Sequence, residues 1–453
     1  MDEFFNGKNG YTNGVKMGSN NNNSLPPAIV IGLDCITGLQ TARILAQKGI
    51  PVFAIATKPG HFACQTRVCK KIIFADTKSI DFINALQEMA SQFDQKPVLF
   101  PCTDMSVLLI SQNRNRLAEH YHVVLPDHQT VKMLMDKIDF IHFAQREGLP
   151  IPETYFLRNK NDAVEASQRL KYPCILKPPM KTPEWERNTK AKVYKANNAS
   201  ELLELYEKCS QWAELLMVQQ WVEGTDGCLY SFNGYFNKNS EPVVTFIARK
   251  IRQWPPETGT SCLGEECRND FVLSESIRLL QKARFCGLGY VEFKQDALTG
   301  VHYIIEPNIG RPTGRSAISE AGGVELLHAT YCDTVGLPLP ENRLQKYTGV
   351  KWIYLRRDLQ SAFYYFKHGQ LSFWEWIRSL RGKKFYAVLS WSDPLPFWAD
   401  FFGKFYETLT SKIRHKQHRR YQQYGQNSGQ ESPIHTPAEM ASKKEEVFHI
   451  DRR

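Results

Sequence analysis

The sequence predicts a chain that begins as α/β and continues as α+β. An N-terminal doubly wound parallel sheet comes first, mixed strands and helices follow to about residue 340, and an aromatic-rich C-terminal extension ends the ordered part. Three observations carry this. Short apolar strands alternate with helical segments from residue 26 to about 126, the pattern of a parallel sheet with crossover helices. A second series of strands and helices starts after GLPIPET (148–154), where Gly148, Pro150 and Pro152 end a helix and open an extended connection. Over 453 residues, 42% hydrophobic and 12% aromatic content supplies cores for two to four domains and excludes global disorder.

In chain order, residues 1–25 read as a flexible tail without the basic start and apolar core of a secretory signal. Strands are expected at AIVIG (28–32), VFAIA (52–56), KIIFA (71–75), VLFP (98–101) and VVLP (123–126), and helices over 37–47, 79–93 and 104–119. The first turn, GLDCITG (32–38), lacks G-x-G-x-x-G, and the second strand ends without an acid for a ribose hydroxyl. A nicotinamide-binding oxidoreductase is therefore disfavoured. A helix over about 129–147 precedes the GLPIPET connection. Helix 162–170, strand CILKP (174–178), a short strand 193–195, helix 200–209 and strand LLMVQQWV (215–222) follow it. The segment 331–340 closes this part, residues 341–402 are dense in Trp, Tyr and Phe, and residues 403–453 read as a largely disordered basic tail.

Composition narrows the partners. No run approaches the ~18 apolar residues of a membrane span. The eleven cysteines are scattered without a C-x-x-C pair, which favours a reduced cytoplasmic protein over a disulfide or zinc framework. Of the net charge of +10, residues 350–453 contribute eighteen Lys and Arg against ten Asp and Glu. The basic character belongs to that end, and no nucleic-acid partner is read from it.

The segment 289–308 is the most informative. GYVEFKQ (289–295) reads as a strand, DALTG (296–300) as a turn and VHYIIEPN (301–308) as the returning strand. With the hairpin symmetric about Thr299, Glu292 lies opposite Glu306, and Asn308 shares their face. Directly opposed side chains have Cβ atoms ~4.5–5.5 Å apart. Two carboxylates that close repel unless a cation lies between them, and an added amide suits a hard divalent ion. A solvated surface hairpin is the bland alternative; the arginines that follow, Arg311 and Arg315, weigh against it. Upstream, Lys177 ends an apolar strand, where a lysine either snorkels or meets phosphate oxygens. The strand at LLMVQQWVEGTDG runs into a tight connection whose backbone can read an adenine edge, with Gln220 and Val222 flanking the base.

In this order the elements resemble the ATP-grasp superfamily, most closely its carboxylate–amine ligase branch with D-aspartate ligase-like members. The resemblance covers roughly residues 26–340. It rests on the N-terminal sheet, the Asp136-Lys137 pair before GLPIPET, the LKP lysine, the hinge VQQWVEG, and VEF…IIEPN followed by arginine. It implies a pre-ATP-grasp Rossmann-like domain over 26–128 and an ATP-grasp domain over 129–340. That domain has two α+β lobes, a nucleotide lobe about 153–222 and a metal-binding lobe about 223–340.

The resemblance also implies roles. Lys177 would hold nucleotide phosphate, Gln220 and Val222 the adenine, and Asp226 the ribose or a neighbouring contact. Glu292, Glu306 and Asn308 would hold Mg²⁺, with Mn²⁺ as an alternative, and Arg311 or Arg315 would act on the transferring group. Where many members have a glycine-rich phosphate lid, this chain has PPMKTPEWERNTKAK (178–192); Lys190 or, by preference, Lys192 is the expected substitute by charge, against an exposed basic loop. Lys250 is expected on the phosphate side, against a solvated strand edge.

The implied activity is ATP-dependent amide formation between a small-molecule carboxylate and an amine through an acyl phosphate. A non-amine acceptor and a silent ATP-binding regulator are the alternatives. A homodimer is left open. PFWADFF (396–402) beside KIRHKQHRR (412–420) suits an anionic membrane surface, against a packed aromatic helix with a solvated basic end.

Overall fold

Three buried apolar strands and a half-exposed edge strand open the fold. In the computed structural model, which describes residues 25–180, 182–256 and 259–403, they are β1 (Ala28–Ile31), β2 (Val52–Ala56), β3 (Cys69–Phe74) and β4 (Val98–Pro101). They pair in parallel in the order β3-β2-β1-β4. The helix Ile36–Gln47 follows β1, capped by the Cys35 thiol accepting from the Gly38 amide at 3.3 Å. Gly38 is required here, because a Cβ would lie 2.2 Å from the Gly32 carbonyl oxygen.

The expected strand at 123–126 does not form. Only His122 bridges to Val98, and the carbonyls of Leu125 and Pro126 accept from the Arg114 guanidinium instead of a ladder. The expected helix over 129–147 is two helices, His128–Met135 and Lys137–Arg146. Asp136 leaves helical geometry between them and caps the second by accepting from the amides of Ile138 and Asp139 at 2.9 and 3.0 Å.

A second sheet is built from β5 (Thr154–Leu157), β6 (Cys174–Lys177), β7 (Tyr194–Ala196) and β8 (Leu216–Gln220), antiparallel in the order β5-β8-β6-β7. Its helices Lys160–Arg169 and Ala199–Cys209 close a core of their own, with Trp185 fully buried. The segment that stands in place of a glycine-rich lid is partly helical: Pro183–Asn188 is capped by Thr182, whose hydroxyl accepts from the Trp185 amide at 3.1 Å.

The third sheet runs β13-β12-β9-β10-β11-β14-β15. Its strands are β9 (Leu229–Phe236), β10 (Pro242–Trp254), β11 (Thr260–Glu266), β12 (Gly287–Gln295), β13 (His302–Ile309), β14 (Lys351–Ile353) and β15 (Lys384–Tyr386). The last two belong to the aromatic-rich extension, so that segment completes this sheet instead of standing apart. Two further cores each join the first sheet to the third. On one side Val30 and Leu39 pack in one cluster with Phe246 and Trp352; on the other Ile29 and Ile31 share a cluster with Phe232 and Ile247. Only the second sheet has a core separate from the others.

Buried ion pairs tie the extension down. Arg43 meets Asp393 at 2.9 Å and also donates to the Val388 carbonyl, Arg252 meets Asp358 at 2.8 Å, and Arg356 meets Asp400 at 2.9 Å. The Asp358 carboxylate also accepts from the Trp376 indole at 3.0 Å. Such pairs are strongly destabilising to break one partner at a time, because the other charge is left without compensation.

Candidate active site

A cleft of about 1060 Å³ lies where the three sheets meet. Its lining includes the β1–helix turn at Asp34 and Cys35, Lys177 at the end of β6, the hinge 219–222 after β8, the β12–β13 hairpin, and Tyr354 and Arg356 of the extension.

The hairpin holds the register expected at its functional end: Glu292 pairs with Glu306 and Tyr290 with Asn308. Nearer the turn the pairing changes, since Phe293 faces Ile304 and Gln295 faces His302. An irregularity between Glu292 and Phe293 takes up the extra residue, Ile305. The symmetry assumed about Thr299 is therefore wrong at the turn, and this irregularity restores it where the carboxylates sit.

Burial, and next the neighbouring Glu292, raise the Glu306 carboxyl above its ordinary pKa, although it opens to the cleft. Asn308 Nδ2 donates to Glu306 at 3.4 Å, and its carbonyl oxygen accepts from Arg311 at 2.7 Å. Among the described residues no cluster of three or more His, Cys, Asp or Glu forms. The donor set is thus two carboxylates and one amide, and phosphate and water oxygens would have to complete an octahedral shell.

Cations surround this pair. Lys177 is lowered to about 8, first by burial and then by repulsion from Lys137, with Glu306 opposing. Lys250 is buried, with Nζ 3.4 Å from Glu292 and 2.9 Å from Gln253 Oε1; burial lowers its pKa and Glu292 holds it up. Arg315 is buried beneath the cleft. One end of its guanidinium donates to the Tyr290 hydroxyl at 2.5 Å, and Nη1 has no partner among the described residues. An unpaired guanidinium donor and two opposed carboxylates lining one cleft, of which Glu292 meets Lys250 and Glu306 has no ion pair among the described residues, fit a magnesium–nucleotide phosphate group.

The remaining expected residues divide. Gln220 and Val222 line the cleft. The Gln220 amide is used by the Glu153 carbonyl at 2.8 Å and the Trp221 amide by Pro173 at 3.0 Å, so among the hinge amides Val222 is the one left to read a base. Arg311 lines the cleft but meets Asp104 at 2.6 Å, which makes it a tether between the hairpin and the first domain as well as a candidate for the transferring group.

Two expectations need correction. Asp226 does not line the cleft: its carboxylate accepts from Gln253 at 2.7 Å and Tyr365 at 3.0 Å, and Gln253 in turn meets Lys250, so of its two expected roles the neighbouring contact is the one the geometry fits. Lys192 is exposed and outside the lining, because the capped helix Pro183–Asn188 and the buried Trp185 set the course of that segment. Sequence reasoning gave no role to Lys137, named only in the Asp136-Lys137 pair, and passed over Asp104; neither lines the cleft, but the first repels Lys177 and the second pairs with Arg311. The cap at Asp136 signalled the first; the second, more than two hundred residues from Arg311, left no local trace.

No family model matches the chain. D-aspartate ligase from Enterococcus faecium is 22% identical over 259 residues, 55% of this chain and 60% of that protein. A D-alanine–D-alanine ligase from Pseudomonas putida is 27% identical over 94 residues, 21% of this chain and 28% of that protein. The matches therefore span less than two thirds of these relatives' own length. A biotin carboxylase from Campylobacter jejuni, solved as a β-γ-ATP complex, superposes with a TM-score of 0.57 at 15% identity, covering 71% of this chain and 74% of that one. The fold is that of the ATP-grasp structures, and the sequence similarities point to the ATP-grasp superfamily and its carboxylate–amine ligase branch.

Proposed function

We propose that the cleft joins a carboxylate to an amine at the expense of ATP, through an acyl phosphate. The observation that carries this is the facing pair Glu292 and Glu306 beside Lys177 and the half-partnered Arg315, all lining one cleft. The relatives' names, both ligases, support the reading.

A carboxylate is a poor electrophile, since direct attack by an amine would have to expel oxide. In the first step a substrate carboxylate oxygen attacks the γ-phosphorus, the bond to the β-phosphate oxygen breaks, and ADP leaves. In the second the amine attacks the acyl carbon, the bond to the phosphate oxygen breaks, and the amine proton is lost to solvent. Mg²⁺ held by Glu292, Glu306 and Asn308 would neutralise charge on the phosphates when bound. Lys177 places a fixed cation on the same phosphates. Arg315 is buried and preorganised, so it stabilises charge on the transferring group without reorganising in water.

The test is ADP release with Mg²⁺-ATP across a matrix of carboxylates and amines that includes D- and L-amino acids. Release that requires both partners supports the reading. Release with a carboxylate alone and hydroxylamine trapping would keep the acyl phosphate and move the acceptor elsewhere.

A pH prediction follows from Lys177. It carries its charge below about pH 8 and loses it above, so kcat/KM for ATP is expected to fall as the pH rises through that value. Lys177→Arg should flatten this alkaline limb; an unchanged limb in the variant would assign it to another group.

A further inference from the structure

We infer that the C-terminal extension carries a docking face for the surface of an anionic lipid bilayer. Residues 395–403 are helical, and the inner side of this helix is fixed by Asp400, which Arg356 and Tyr354 hold at the cleft wall. Its other side is apolar and open. Trp398, Phe401 and Phe402 are 51%, 51% and 56% exposed, and Trp391 just before the helix is 90% exposed. Trp398 and Phe402 stack with ring centres 5.7 Å apart, so the rings form one ridge. Exposed tryptophan and phenylalanine in such a cluster suit the boundary between headgroups and acyl chains.

The charge of the extension that carries the ridge points to the occupant. Residues 350–403 contain eight Lys and Arg and four acids, Asp358, Glu375, Asp393 and Asp400. All three aspartates are buried against arginines, which leaves Glu375 as the acid at the surface. Lys367, Arg381 and Lys383 are exposed. In sequence the helix leads straight into residues 404–420, which hold six Lys and Arg and one Glu. A basic aromatic face is complementary to anionic headgroups and repels a second copy of itself in a two-fold contact. Among the described residues no helix is long and apolar enough to cross a membrane, so the contact is peripheral.

The experiment is co-sedimentation of the full chain with phosphatidylcholine vesicles, with and without phosphatidylserine. Binding is expected only to the anionic vesicles and should weaken with salt. Lys412→Gln, Arg414→Gln and Lys416→Gln should each weaken it roughly fivefold. Trp398→Ser with Phe402→Ser should weaken it at least about tenfold while leaving the melting temperature unchanged, since both rings lie on the surface. No sedimentation, or equal sedimentation with both vesicles, overturns the proposal. Loss in the charge variants with none in the aromatic variant overturns the docking face and leaves binding to the tail alone. Concentration-dependent dimerisation abolished by the aromatic variant, without vesicle binding, overturns it in favour of a second copy. None of these outcomes depends on the ligase reading.

Discussion

Glu306→Gln is expected to lower the rate of ADP release by about a thousandfold, which corresponds to about 4 kcal/mol of transition-state stabilisation. The glutamine keeps the shape and the contact with Asn308 but removes the charge that faces Glu292 across the hairpin. A cation between the strands then loses half of its carboxylate partners. The same change should leave the metal-free melting temperature level or higher, because the repulsion that helps raise the Glu306 pKa disappears. A dead but equally stable variant separates a lost ligand from a lost fold. If activity survives within about tenfold, Glu306 does not hold the ion and the site assignment fails.

Arg315→Met should lower kcat by about a hundredfold to a thousandfold with little change in KM for ATP. The side chain is buried and its Nη1 atom has no acceptor among the described residues, so that end of the guanidinium is left for charge that develops in the cleft, while the other donates to Tyr290. Methionine also leaves the Tyr290 hydroxyl without its donor, which should cost about 1–3 kcal/mol of stability. Arg315→Lys keeps the charge without the fork and should recover part of the rate. Single-turnover measurement of phosphoryl transfer reads this directly. An effect confined to KM would make Arg315 a binding residue for ATP and nothing more.

Local chemistry made much of this legible. The alternation of strands and helices, the end of β6 at Lys177 and the facing of Glu292 and Glu306 all follow from patterns a few residues long. The hairpin shows the limit of that method. The sequence reading put its centre at Thr299 and reached the right pair only because Ile305, next to Glu306, is taken up as an extra residue. Long-range partners were out of reach: nothing near Asp104 announces Arg311, and nothing near Asp226 announces Tyr365. The helix break at Asp136 and the missing strand at 123–126 have the same origin, because side-chain groups there satisfy backbone atoms that a periodicity argument gives to regular structure.

The pair between Arg43 and Asp393 has a consequence for how the chain is made. Its members are 350 residues apart in sequence. At a ribosome adding roughly 5–20 residues per second, Arg43 emerges roughly 20–70 s before the aspartate that neutralises it. Arg43 lies in the middle of the helix Ile36–Gln47, on the face that the finished protein buries. During that interval the helix must keep this face wet, so the nascent first sheet cannot reach its final packing until translation is nearly over.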